Sequence, residues 1–299
     1  MNFKTNLAAQ DDPLTYQVSG EAMRVHTELG PGLDEVFYHE LLAQRLAAAG
    51  LDCQSRLREP LQHRGQTADH FECDALVNRA AVVELKVLAA EDTFTPEHLS
   101  QILCYLKFWK TGRGLLLDFG KESMGQRRVV FSERQVELPD ADALTAQAPE
   151  SVTDRPLALA ILRSLTRVLE THGLGYRDTT YRGLVAADLA AEAIPFTDQP
   201  TAPIRSGEVL LGEAKCHCGI VAGKAAVLVL ALRNRISTTD RAVLQTYLKH
   251  LDLPWGLIAN FGKTQFETMW VAAPHRRTTV SFPEIHSPNP QPSPNLRGT

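Results

Sequence analysis

Three side chains between residues 71 and 88 could do hydrolytic chemistry together: Asp74, Glu84 and Lys86. The stretch has the pattern of a β-hairpin with a tight turn at Asn78-Arg79, and its second strand is apolar except for Glu84 and Lys86. Strand side chains alternate, so Glu84 and Lys86 share one face while Val83, Leu85 and Val87 take the other. Asp74 lies ten positions before Glu84, and antiparallel pairing brings the two carboxylates to one end of the ribbon. Two carboxylates beside a lysine suit a hard cation. Taken alone, the Glu84–Lys86 pair is equally the solvent-facing salt bridge of an ordinary strand.

The hairpin needs elements to hold it. Apolar positions at Ala22, Met23, Val25 and Leu29 predict a helix over 20–29, stopped by Gly30-Pro31-Gly32, and a second helix follows over 33–49. Glu35 falls in that helix's first turn, where the macrodipole favours an anion, and Tyr38 lies one turn on along the same face. Residues 51–60 and 61–65 read as strands leading into the hairpin. Thr95 as N-cap and Pro96 at the first helical position open a helix to about residue 110, with Gln101 and Tyr105 on one face. Residues 112–120 return as a buried strand and 127–131 as an edge strand. Dipole, cap or plain surface roles are the ordinary accounts of Glu35, Gln101 and Tyr105 taken singly.

Composition narrows the functional classes. The chain has 299 residues, 44% of them hydrophobic, which is enough for two globular domains. Its formal net charge of −4 supplies no global basic field, so a nucleic-acid partner would be held by a local patch. Five scattered cysteines, with no signal-peptide or membrane-length apolar run, make a reduced, cytoplasmic location the default and argue against a membrane partner. Cys216-x-Cys218 has no second paired cluster to complete a zinc site, and His26, His39 and His98 read as surface or satisfied residues.

The second half echoes the first. Tyr105-Leu106-Lys107 recurs as Tyr247-Leu248-Lys249 and Phe119-Gly120-Lys121 as Phe261-Gly262-Lys263, both 142 residues on (105 to 247, 119 to 261). Gly32 to Tyr38 is echoed by Gly175 to Tyr181, 143 residues on (32 to 175). Three matches in order indicate a tandem duplication. The chain then divides into an N-terminal extension (1–18), a first domain (19–133), a linker (134–156), a second domain (157–283) and a Pro/Ser/Asn-rich disordered tail (284–299).

Gly32-x-x-Glu35-x-x-Tyr38, the Asp74…Glu84-Leu85-Lys86 hairpin, Gln101-x-x-x-Tyr105 and Gly114-Leu115-Leu116-Leu117-Asp118-Phe119-Gly120, in this order, resemble the GxxExxY proteins of the PD-(D/E)xK nuclease superfamily. The resemblance covers 19–133 closely and 157–272 in degraded form. It implies an α/β fold of two restriction-endonuclease-like (αβββαβ) domains, each a mixed central sheet of four strands flanked by helices. It also implies a Mg²⁺- or Mn²⁺-dependent nuclease in which Asp74, Glu84 and Glu35 hold the metal. Lys86 is then the motif lysine, and Gln101, Tyr105 and Tyr38 support the site. Phosphodiester hydrolysis needs an activated water and a cation to absorb charge on the phosphoryl oxygens. Lys86 could orient or deprotonate that water, or stabilise the pentacovalent phosphorus. Cys73, where the superfamily motif has proline, is a departure.

The second copy is a contrast. Aligned by sequence, Cys218 stands at the position of Asp74 and Val243 at that of Gln101, while Asp178 keeps the position of Glu35. The strand over 225–232 carries no charge, so the Glu-x-Lys pair is absent there. The expectation is one intact site and a pseudo-domain kept for shape, docked like the second subunit of a dimer or helping to bind nucleic acid, DNA rather than RNA. The competing expectation is a non-catalytic nucleic-acid- or protein-binding regulatory module on the same fold.

Overall fold

The computed structural model of the protein describes residues 12–133 and 135–274. The expectations for residues 1–11, for the linker's first residue Arg134 and for the tail over 284–299 lie outside the described residues.

Helix α1 (Pro13–Leu29) starts earlier than the apolar pattern suggested. Asp12 Oδ1 accepts the Thr15 N–H at 3.3 Å, and Pro13 fills a first-turn position that donates no intrahelical bond. Thr15 and Val18, assigned from sequence to the N-terminal extension, are buried as a result. Positive φ at Gly30 (74°) and Gly32 (83°) turns the chain into α2 (Glu35–Ala48).

Where two short strands were expected there is one, β1 (Cys53–His63). It tolerates Pro60 because it lies at the sheet edge, and a bulge between Leu61 and Gln62 keeps it paired with β2 (Gln66–Val77). Asn78 and Arg79, at φ 52° and 51°, form the turn into β3 (Ala81–Lys86), a conformation that asparagine tolerates well. After α3 (Pro96–Phe108), β4 (Arg113–Asp118) pairs parallel to β3, and β5 (Gly125–Val130) pairs antiparallel to β4. The sheet is therefore five-stranded, in the order β1-β2-β3-β4-β5, one strand more than the resemblance implied. The extra strand is β5, foreseen as an edge. Val83, Leu85, Leu115 and Leu117 pack under α1 and α2 on one face, and Val82 and Leu116 pack under α3 on the other. Each such side chain contributes about 1.5–3 kcal/mol of burial. Asp118 ties the ends of β3 and β4, its Oδ1 accepting the N–H groups of Leu88 and Gly120, both at 3.0 Å. A Cβ on Gly120 would lie 2.0 Å from the Leu88 carbonyl oxygen, so only glycine fits there.

The expected linker contains a short helix, α4 (Ala141–Ala146), packed on α5 (Arg155–His172). The second half then repeats the first. Helix α6 (Asp178–Ala191) leads to β6 (Phe196–Asp198), β7 (Thr201–Ser206), β8 (Val209–Lys215), β9 (Gly219–Ala222) and β10 (Ala225–Ala231), and then to α7 (Thr238–His250), β11 (Trp255–Phe261) and β12 (Phe266–Ala272). Its five-stranded sheet runs β12-β11-β10-β9-β6, with β7–β8 a separate hairpin. Strand β10 is parallel to β11 as β3 is to β4.

One apolar core spans both halves, with Phe71 stacked on Tyr176 at 5.6 Å between centroids. Around it, the tip of the β1–β2 hairpin is latched to the second half. His63 Nε2 lies 2.9 Å from Asp188 Oδ1, His63 Nδ1 3.0 Å from His172 Nε2, and Arg167 Nη2 2.6 Å from Asp188 Oδ2.

Candidate active site

The β2–β3 ladder pairs Ala75 with Val83, and Asp74 and Glu84 are the next residues outward, on facing strands. The backbone ladder stops there, and Asp74 takes over with its side chain, Oδ2 accepting the Leu85 N–H at 2.7 Å. The carboxylate is thus fixed beside Glu84 by a bond that would otherwise belong to the sheet. Two further contacts shape this point. His39 of α2 donates from Nε2 to the Asp74 carbonyl at 2.6 Å. Opposite Asp74 on β1, Arg56 has φ 49°, a left-handed conformation that is costly for a residue with a Cβ.

Glu84 is buried and Lys86 half-buried, with Lys86 Nζ donating to Glu84 Oε1 at 2.7 Å. Glu84 Oε2 is buried and has no hydrogen-bond partner among the described residues. Desolvation raises the Glu84 pKa to about 7, with the charges of Asp74 and Glu35 adding to it and Lys86 opposing. Glu35, the first residue of α2, is accessible in part, yet its pKa is also raised, by desolvation first and then by Asp74. The three carboxyl groups therefore lie within electrostatic reach of one another. They do not converge into a ligand cage: among the described residues no group of three or more His, Cys, Asp or Glu side chains is placed to hold a metal ion.

Two carboxylates, one with a buried unpartnered oxygen and an excess of negative potential, nevertheless fit a hard divalent cation. Water, main chain or a phosphate would complete its shell. The sequence expectation that Glu35 is a direct ligand finds Glu35 as an electrostatic neighbour.

The helix motif sits on the same side of the sheet. Gln101 Nε2 donates to the Tyr105 hydroxyl at 2.9 Å, and Lys86 is positioned by its own bond to Glu84. Burial first, and the charges of Glu84 and Asp74 among the rest, push the Tyr105 phenol up to about 12. Tyr38 is not at this point. Its hydroxyl donates to the Gly30 carbonyl at 2.7 Å, accepts from the Leu33 N–H at 3.0 Å, and its ring stacks on Phe119 at 4.6 Å. Tyr181 does the same in the second half, bonded to the Gly173 carbonyl at 2.6 Å and stacked on Phe261 at 3.9 Å. Because the arrangement persists where the charges are gone, it builds the helix–turn–helix corner. It orients α2, and so Glu35, from a distance.

The second copy has no equivalent pair. The turn into β10 is one residue shorter than the turn into β3, so Gly219 and not Cys218 faces Leu228 across the ladder, as Asp74 stands next to Glu84. The residue-by-residue alignment from sequence is corrected accordingly. Leu228 and Leu230 replace Glu84 and Lys86 and are buried. A Cβ at Gly219 would lie 2.4 Å from Cys216 Sγ, which leaves no room for an aspartate. Cys218 donates its thiol to Asp178 Oδ2 at 3.4 Å, and burial pushes that thiol up to about 12, so the cluster is unreactive.

Sequence reading passed over Arg56 and set His39 aside as a satisfied residue. The i, i+4 spacing of Glu35 and His39 signals a shared face. Nothing in the sequence shows that Arg56 stands opposite Asp74.

Compared with known proteins, the chain is similar to a family model described as PD-(D/E)XK nuclease superfamily, over residues 12–129 and again over 156–271. No curated protein matches it. Among solved structures, the crystal structure of SSO0001 shares 12% identity over 52% of this chain and 69% of that chain, at a TM-score of 0.26. That score is too low for the likeness to inform the fold.

Proposed function

This chain belongs to the PD-(D/E)XK nuclease superfamily, and from that premise we propose that its first half is a metal-dependent nuclease, with Asp74, Glu84 and Lys86 as the reacting constellation. The observation that carries the proposal is the Asp74–Glu84 carboxylate pair, with Glu84 Oε2 buried and without a partner among the described residues and Lys86 Nζ 2.7 Å from Oε1. Among the described residues no helix is long and apolar enough to cross a membrane.

Asp74 and Glu84 would hold Mg²⁺ or Mn²⁺. When bound, such a cation would polarise the phosphodiester and lower the pKa of a water. The chain's own groups do the rest. Leu85 N–H holds the Asp74 carboxylate in place, and His39 holds the Asp74 main chain. Lys86 orients the attacking water and offers positive charge to the phosphoryl oxygens. Glu35, at the start of α2, adds a carboxyl at the mouth of the site. Arg56 has no hydrogen bond or ion pair to any described residue, and is available to a substrate phosphate.

The Gly32-x-x-Glu35-x-x-Tyr38 pattern supports placing the chain with the GxxExxY proteins, and DNA is the first substrate to assay, RNA the second. The second half, with Leu228 and Leu230 in the strand, is assigned a structural or nucleic-acid-binding role.

The test is cleavage of labelled DNA and RNA by the full chain with and without Mg²⁺ or Mn²⁺. Cation-dependent cleavage that vanishes in Glu84→Ala and Lys86→Ala supports the proposal. Cleavage unchanged by either substitution overturns it, and binding without cleavage would identify a non-catalytic recognition module.

A further inference from the structure

The two halves contain the same hairpin, bulged at the same place. In β1–β2 the register shifts between Leu61 and Gln62, and in β7–β8 between Ile204 and Arg205, 143 residues on (61 to 204). Gln66, Thr67 and Ala68 of the first hairpin thus correspond to Val209, Leu210 and Leu211 of the second. The first hairpin has a seat on the second half's helix α6. The Ala68 carbonyl oxygen lies 2.1 Å from where a Cβ on Gly183 would be, Thr180 Oγ1 donates to Asp69 Oδ2 at 2.6 Å, and Arg64 reaches Asp188 and Glu192.

Two counterparts of this contact are exposed, Leu211 where Ala68 lies and Phe37 where Thr180 lies. Gln66, Thr67 and Thr179 are exposed in the first contact too, so Val209, Leu210 and Val36 widen the apolar patch beyond the contact's own residues. On the second hairpin, Val209 is 61%, Leu210 50% and Leu211 66% exposed. On α2 and the turn before it, Leu33, Val36 and Phe37 are exposed, at the positions that Tyr176, Thr179 and Thr180 occupy around α6. Three consecutive exposed aliphatic residues at a hairpin, and an exposed phenylalanine on the matching helix, are a costly way to face water. Both members have also changed in the same sense. Polar Gln66 and Thr67 become Val209 and Leu210, and the seat's Thr180 becomes Phe37.

We propose that the β7–β8 hairpin of one molecule docks on α2 of a second copy of this chain, repeating between molecules the contact that β1–β2 makes with α6 within one. The glycine that lets the first hairpin touch the helix backbone is Glu40 in α2. The intermolecular contact is therefore wider and is bridged by the larger side chains Leu210, Leu211 and Phe37. The contact is heterologous: each copy offers one hairpin and one seat, so association runs head to tail. Since α2 begins with Glu35, the docked hairpin borders the candidate active site of the copy that receives it.

Sedimentation of the full chain over a range of concentrations tests this, with two pairs of exposed substitutions, Leu210→Asp with Leu211→Asp on the hairpin and Val36→Asp with Phe37→Asp on the seat. Circular dichroism and thermal melting of each variant should match the unsubstituted chain. The unsubstituted chain should associate with rising concentration, and each variant alone should associate about 30-fold or more weakly. Mixed in equal amounts, the two variants retain one good hairpin and one good seat between them, and should form a species of two chains that grows no further. A monomeric unsubstituted chain at every concentration overturns the proposal. So does a seat variant that associates as well as the unsubstituted chain, because a hairpin-to-hairpin contact would then be the interface.

Discussion

Asp74 Oδ2 accepts the main-chain N–H of Leu85 at 2.7 Å, one position beyond the last backbone pair of β2 and β3. A catalytic candidate is therefore also a structural one, and two substitutions separate the roles. Asp74→Asn keeps an oxygen for the Leu85 N–H and should stay within about 0.5 kcal/mol of the parent in urea unfolding. Asp74→Ala leaves that buried donor unsatisfied and should lose about 1–2 kcal/mol. Both should lose cation-dependent cleavage by about 100-fold or more, because the charge that would hold the cation is gone in each.

Glu84 presents the reverse case. Its Oε2 is buried with no partner among the described residues, so the folded chain gains little from it when no cation is present. Glu84→Gln should melt at or above the parent temperature in the presence of chelator. It should bind Mn²⁺ about 10-fold or more weakly by calorimetry. A variant that binds Mn²⁺ as well as the parent would remove Glu84 from the ligand set.

Tyr38 and Tyr181 make the same bonds in an intact and a degenerate copy, to Gly30 and Gly173 at 2.7 and 2.6 Å. Tyr38→Phe and Tyr181→Phe should each cost about 1 kcal/mol in denaturant unfolding. Tyr38→Phe should change the cleavage rate no more than about two-fold, since no atom of Tyr38 is placed among the carboxylates. A larger drop would move Tyr38 from support to chemistry.

Arg56 joins a strained backbone to an exposed cation that has no hydrogen bond or salt bridge among the described residues, though its charge reaches Glu35. Arg56→Gly should stabilise the fold by about 0.5–1 kcal/mol, because glycine adopts φ 49° without steric cost. The same change should weaken nucleic-acid binding and lower the slope of log K against log salt by about 1. Fluorescence anisotropy at several salt concentrations reads the second effect, and thermal melting the first.

The inter-half latch should weaken in acid. Desolvation, with the charges of His63 and Lys107, lowers the His172 pKa from 6.5 to about 4. At Asp188 desolvation raises the pKa, but hydrogen bonds from His63 and Arg167 together outweigh it and hold the carboxyl well below the usual range. Both groups are depressed in the folded state, so their contribution is complete above the unfolded-state values and is lost as pH falls. The His172 part goes between pH 6.5 and about 4, and the Asp188 part below that. Melting temperature measured across this window should fall, and His172→Gln, which cannot take up a proton, should flatten the upper portion of the decline.

Strand parity already put Glu84 and Lys86 on one face, because the period of two is local and needs no partner. The capped starts at Thr95-Pro96, the Gly30-Pro31-Gly32 stop and the Asn78-Arg79 turn were legible for the same reason, as was the duplication, which is written in the residues themselves. What depended on through-space register was not legible. Asp12 and Pro13 open α1 before the apolar periodicity begins. The one-residue difference between two turns sets Gly219, not Cys218, beside Leu228, and Arg56 faces Asp74 only because β1 pairs with β2 in one register. The sharing of a single core by the two copies, and the bare second hairpin, follow from packing between residues more than a hundred positions apart. The order of residues thus determined which side chains could do chemistry, while the pairing of strands decided which of them meet.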